Sequence, residues 1–263
     1  MYILYFVIAV LATGIGAVTG MGGGIIIKPV MDMLNHYDVS SISMLSSITV
    51  FVMAAVSLAQ QFNSAEKRES PVTVLLALGS VAGGYLGNIL LSRLISVVVD
   101  PSYIVLWQNL MLACLLVVVI VYMHKKNDVP SLRLKGFIPF VSVGLLLGLI
   151  SSFLGIGGGP INVAIIIFVF SYPIKAAAHC SLLIILFSQA SKLITDAFSG
   201  GFGNYDLSVL PVMVMGGIVG GIIGSIVFKR ADEKTTSRLF NIAQAIVLLL
   251  CVINIFRNLR GVV

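Results

Sequence analysis

The chain has 263 residues, 59% hydrophobic and only 10% charged, with a net charge of +6 and a mean hydropathy of +1.10. A soluble domain carries roughly 25% charged residues, so the composition excludes a soluble enzyme and describes an integral membrane protein. The positive balance is not a nucleic-acid signature, because most Lys and Arg fall in short connections between apolar runs, where they set topology.

In chain order, the N-terminus is apolar from residue 2 and has no basic n-region, so it reads as a first membrane segment rather than a signal peptide. That segment, about 2–19, runs into Gly20-Met21-Gly22-Gly23-Gly24, and further apolar segments follow at about 22–34, 40–61, 71–91 and 102–123. A connection at 124–136 leads to 137–154, then to Gly155-Ile156-Gly157-Gly158-Gly159-Pro160, and on to 160–170, 174–198, 206–228 and 236–256. A helix needs about 20 residues to cross a bilayer. The segments at 22–34 and 160–170 are too short for that and are expected to be second arms of glycine-broken hairpins. The other eight are long enough to span. Cys114, Cys180 and Cys251 each lie inside an apolar run and offer neither a disulfide framework nor metal-ligand spacing.

The halves repeat. Adding 135 carries Gly20, Gly22, Gly23 and Gly24 onto Gly155, Gly157, Gly158 and Gly159, and adding 137 carries Gly79, Gly83 and Gly87 onto Gly216, Gly220 and Gly224. Two matched patterns at nearly one offset signal an internal duplication: a first membrane repeat at 1–123, a cytoplasmic linker at 124–136 and a second repeat at 137–263. Glycine at every fourth position gives a helix a smooth stripe for close packing, within the subunit or across a homodimer. Lys125, Lys126, Arg133 and Lys135 place the linker in the cytoplasm. If each glycine hairpin enters and leaves on one side, eleven basic residues, including Lys67 and Arg68, lie inside and only Arg93, Arg257 and Arg260 outside. If each hairpin counts as one crossing, the split is eight to six. The first arrangement fits better and makes the repeats inverted, as in many secondary transporters. The expected fold is thus all-α and multi-pass, with about eight spanning helices and two hairpin arms.

The chemistry follows from the hairpins. Glycine allows positive φ and close approach of backbone amides to a ligand. A helix starting after each cluster presents unpaired N–H groups and partial positive charge, which can hold an anion inside a membrane. Pro160 suits the first turn of such a helix. Candidate substrate-binding residues are therefore Gly22, Gly23, Gly24, Gly157, Gly158 and Gly159, with Asn162 able to donate to an anion oxygen or cap a backbone group. Lys28 is an intramembrane charge. It could complete the anion site, snorkel to the interface or pair with Asp32 at i,i+4. His179 could titrate near neutral pH or bond between helices. Ser46 and Ser181 match at offset 135. Gln189, Lys192 and Asp196 share one side of a helix, where an interhelical ion pair near the outer interface is the expectation and proton or ion coupling is the alternative. Gln108, Asn109, Asn241 and Gln244 read as interhelical glue, and Trp107, Tyr103 and Tyr205 as interfacial anchors.

Gly20–Pro29 and Gly155–Val163 resemble the paired glycine motifs of the sulfite exporter TauE/SafE family, also called the 4-toluene sulfonate uptake permease family. Ser43–Thr49 and Ala178–Leu186 resemble the small-residue, Ser-containing helix after each motif there. The resemblance spans the chain and implies a transporter of sulfite, organosulfonates or other small anions in the plasma membrane of a bacterium. Lys28, Asn162 and Ala164 depart from the motif pattern, and His179 falls opposite Met44. The expected protein is an anion carrier working by alternating access, with a passive anion channel as the second reading. An intramembrane enzyme is disfavoured, because His179 and Ser181 are two apart and point in different directions. Neither a Walker-type phosphate loop nor an H-E-x-x-H pair occurs, so no cofactor, metal or catalytic residue is expected. Partners are the small anion and the lipid bilayer.

Overall fold

The computed structural model describes residues 2–61, 71–97, 101–126, 128–156 and 158–262. Gly157 of the second cluster and Lys67 and Arg68 of the basic tally lie outside the described residues. Those described are helical, in the order α1 (Tyr2–Thr19), α2 (Gly24–Leu34), α3 (Val39–Gln61), α4 (Pro71–Val97), α5 (Pro101–Lys125), α6 (Phe137–Phe153), α7 (Pro160–Phe170), α8 (Ile174–Ser199), α9 (Leu210–Arg230) and α10 (Glu233–Val262). A single 3-10 turn, Phe202–Asn204, precedes α9.

Seven of these helices, α1, α3, α4, α5, α8, α9 and α10, are long and apolar enough to cross a membrane. The expected eighth, α6, has 17 residues, about 25 Å at 1.5 Å per residue, against a hydrocarbon core of about 30 Å. The two hairpin arms have 11 residues each, roughly half a crossing. Each of them stops at a left-handed residue, Asn35 for α2 and Ser171 for α7. Ile3, Trp107, Val118 and Ile138 point outward, as apolar lipid in place of water permits.

Element pairing follows the repeat and interleaves the halves. The first helix of each half lies along the fourth helix of the other: α1 on α9, and α6 on α4. Likewise α3 packs on α9 and α8 on α4, while α3 meets α8 and α5 meets α10 across the centre. The glycine stripes make the tightest of these contacts. A Cβ on Gly79, Gly83 or Gly87 would lie 2.3, 2.0 or 2.4 Å from carbonyl oxygens of α6, and one on Gly220 or Gly224 would meet α1 carbonyls at 2.5 Å. Helix backbones approach this closely only where side chains are absent. The stripes are therefore occupied inside the subunit.

The connections gather at two ends. At one, Tyr5 bonds His36, Tyr37 bonds Ser208, Asp206 N–H donates to Ser41, and Arg257 donates to Met33 O. At the other, Leu132 and Leu134 N–H donate to Phe168 O and Val169 O, and the Lys175 ammonium lies 5.0 Å above the Phe228 ring. Each hairpin therefore starts and finishes at one end of the bundle, α1–α2 at the first and α6–α7 at the second. This is the arrangement that the basic residues favoured.

Candidate functional site

The two glycine breaks meet in the middle of the bundle. Gly20 and Gly155 take the same left-handed conformation, φ +72° and +64°, which turns the chain from the long arm into the short one. Beyond the turns, α2 starts at Gly24 and α7 at Pro160, with Gly23 and Gly159 as N-caps that offer no side chain. Ile26 and Ile27 N–H both donate to Gly23 O, and Asn162 N–H to Gly159 O. The Gly24 and Ile25 amides precede the first intrahelical donor and have no carbonyl of their own helix to reach. A Cβ on Gly24 would lie 2.0 Å from Ile156 O, and one on Gly159 would touch Ile25 at 3.3 Å. The helix starts thus lie against each other, closed by backbone contact.

The other predicted residues fall around this junction, each in a different setting. Gly22 backs onto Gly16 of α1, and Gly23 onto Thr13. Ser181 Oγ donates to Gly20 O at 2.5 Å, tying the first motif to α8. Ser46, its repeat mate, lies beside Gly24 with a buried hydroxyl that has no protein partner. Asn162 Nδ2 lies over Gly158 and is likewise buried without a partner. His179, between Ala178 and Ser181 that touch Gly20, is half-buried and turns its ring to α3, with Nδ1 2.9 Å from Gln61 Oε1.

Lys28 forms the i,i+4 ion pair with Asp32. Its ammonium lies 3.2 Å from Asp32 Oδ2, and the two side chains are 3% and 2% exposed, so Lys28 does not snorkel. Asn109 Nδ2 donates to the same carboxylate, and Asn254 Nδ2 donates to Pro29 O and Asn109 Oδ1. The amide glue expected of α5 is present, since Gln108 also donates to Phe153 O. Gln244 differs, as its buried amide atoms have no partner.

The expected Lys192–Asp196 pair does not form. The Lys192 ammonium instead donates to Ser43 Oγ at 2.6 Å, Ser47 Oγ at 2.8 Å and Ser43 O at 3.4 Å, all on α3. Asp196 accepts from Asn88 Nδ2 of α4 at 2.6 Å. Both line a cavity of about 260 Å³ that opens at the first end between the start of α3, the end of α4 and Tyr205. Lys192, one helical turn deeper than Asp196, forms the floor. Tyr205 is thus part of the cavity mouth rather than a lipid anchor. Burial, with the carboxylates of Asp196 and Asp38 nearby, pushes its phenol above the ordinary value.

Ser43 joins cavity and junction. A Cβ on Gly155 would lie 2.6 Å from Ser43 Oγ and 3.7 Å from Lys28 Cε, so this hydroxyl sits between the second glycine motif and the Lys192 ammonium. The site therefore has a buried cation whose direct hydrogen bonds go to hydroxyls and a carbonyl rather than to a carboxylate, two hydroxyls, and two helix starts behind them. This set can receive an anion through charge and N–H or O–H donors. Lys192, Ser43 and Ser47 were absent from the predicted site. The available signal for Lys192 was the one applied to Lys28, an ionisable residue inside an apolar segment.

A family model described as Sulfite exporter TauE/SafE matches residues 5–254. Neither a curated protein nor a solved structure matches the chain.

Proposed function

The chain belongs to the sulfite exporter TauE/SafE family, and from that premise we propose that it is a secondary carrier of a small sulfur oxyanion, sulfite or an organosulfonate, across the plasma membrane. The observation that carries this reading is Lys192: 2% exposed, hydrogen-bonded only to hydroxyls and a carbonyl, and placed at the floor of an open cavity. A buried ammonium with no carboxylate in direct contact is only partly compensated, and an anion docked on it would complete it. The sulfur oxyanion docks on Lys192, Ser43 and Ser47. It then passes to the glycine junction, where the Gly24 and Ile25 amides, Ser46 and Asn162 supply donors, with Gly22, Gly23, Gly158 and Gly159 keeping the backbone bare. Lys28, already paired with Asp32, contributes field rather than a direct contact. The backbone closure of Gly24 on Ile156 favours a carrier, which must move to admit its substrate, over an open channel.

The test is exchange of radiolabelled sulfite in proteoliposomes. Lys192→Met should weaken it roughly tenfold to a hundredfold, the range for removing charged hydrogen bonds of about 1.5–3 kcal/mol. Gly24→Leu should abolish exchange while the protein still reaches the membrane. Wild-type exchange rates in both variants would sink the site assignment.

A further inference from the structure

We propose that Asp196 carries a proton with the anion, making the transporter an electroneutral proton–anion symporter. The proposal rests on the anion-carrier reading and adds its coupling. Asp196 shares the cavity with Lys192 but is not ion-paired to it, and its carboxylate is held by a single strong donor, Asn88 Nδ2. It is only 7% exposed.

The charged and titratable surroundings are few. Among the described residues, Lys192 of the same helix is the one cation in the cavity wall, and Asp38 at the start of α3 and Tyr205 at the mouth are the other titratable groups there. Lys28 lies behind, already neutralised by Asp32. From α4 comes Asn88, while Arg93 is exposed and outside the wall. Neither α6 nor α7, beside α8, carries a titratable side chain.

With Asp196 ionised, the Lys192–Asp196 pair is neutral and Asp38 at the mouth adds a negative charge. A monoanion docked on Lys192 brings one more negative charge, facing a carboxylate in a poorly polar setting. Like charges so placed favour protonation of one of them. A proton taken from the medium at the cavity mouth adds to the Asp196 carboxylate oxygen, forms an O–H bond and offsets the charge that the anion brings. It leaves again when the anion leaves. Anion and proton therefore bind cooperatively, each raising the affinity of the other by the same factor. The direction of net flux follows the sum of the two gradients. An alkaline interior draws the anion in, and a sufficient internal excess of anion drives it out.

The experiment compares two assays on purified wild type, Asp196→Asn and Asp196→Glu in proteoliposomes. One is exchange of radiolabelled sulfite at equal concentrations across the membrane, and the other is its accumulation under an imposed pH gradient, acid outside. Wild type should do both, with exchange slowing as pH rises. Asp196→Asn should exchange without dependence on pH and accumulate no more than protein-free vesicles, which also control for protonation of sulfite itself. Asp196→Glu should recover both the pH dependence and the accumulation. Gradient-driven accumulation by Asp196→Asn at the wild-type level would overturn the proposal. So would loss of exchange together with accumulation in that variant, which would make Asp196 structural. Absence of exchange in wild type would remove the carrier reading itself and the coupling with it.

Discussion

Two buried lysines sit near the centre of this bundle, and they differ in how their charge is met. Lys28 has a carboxylate four residues away on its own helix; Lys192 has only the hydroxyls of α3. For Lys28, removing one partner leaves the other as an isolated buried charge, which typically destabilises by about 3–5 kcal/mol. Lys28→Met should therefore lower the thermal midpoint in detergent sharply, and Lys28→Met with Asp32→Leu should recover most of the loss. A double variant as unstable as the single one would mean that the pair is not what holds α2 in place. Lys192→Met should behave differently. No carboxylate bonds Lys192 directly and Asp196 keeps its Asn88 donor, so the variant should lose far less of the midpoint than Lys28→Met and lose the further stabilisation that added sulfite confers by mass action. The difference also explains what could be read from sequence. The Lys28–Asp32 pair is local, so helix spacing alone predicts it. The Lys192 partners are 149 and 145 residues away, and no local pattern points to them.

Among the elements, the glycine stripes decide how the halves lock together. The packing of α4 on α6 uses Gly79, Gly83 and Gly87 against successive α6 carbonyls, and α9 on α1 repeats the device. A side chain at Gly83 would displace backbone rather than a flexible tip, and overpacking of a tight contact costs about 1–3 kcal/mol or more. Gly83→Leu should reduce the yield of folded protein strongly, read by size-exclusion profile in detergent. Gly203→Ala, where nothing lies within 4 Å of the added methyl, should leave both yield and midpoint unchanged. Normal folding of Gly83→Leu would show that α4 and α6 need not touch. The existence of these helices and the matched stripes were legible in the sequence, because hydrophobic runs and glycine periodicity are local properties, whereas α4 and α10 run on past the apolar stretches that mark them, to Val97 and Val262. The partners of the stripes were not legible. A stripe specifies a smooth face without saying what covers it, and here the cover comes from the other half of the chain.

At the scale of the molecule, the repeat maps the open cavity onto a closed one. Adding 135 carries Ser57 to Lys192, Gln61 to Asp196, Ser40 to Lys175 and Met44 to His179, and adding 137 carries Asn88 to Ser225 and Leu91 to Phe228. Of these positions Lys192, Asp196, Ser40, Met44, Asn88 and Leu91 surround the cavity at the Tyr205 end. Their mates lie together at the opposite end and make contact there, His179 with Gln61 at 2.9 Å and Lys175 over Phe228 at 5.0 Å. One half-bundle arrangement thus occurs twice, open at one end and shut at the other. In a carrier built from related repeats, exchanging the two arrangements converts one access state into the other. On the proposed carrier reading, His179 and Gln61 would serve as gate residues at the exit. In a background without Cys114, Cys180 and Cys251, bridging Gln61→Cys to His179→Cys with a short bis-thiol reagent should hold the second end shut. Sulfite should still stabilise the bridged protein, because the Lys192 cavity stays open, while exchange in proteoliposomes should stop. Continued exchange across the bridge would mean that the anion leaves by a route that does not pass between α3 and α8 at that end.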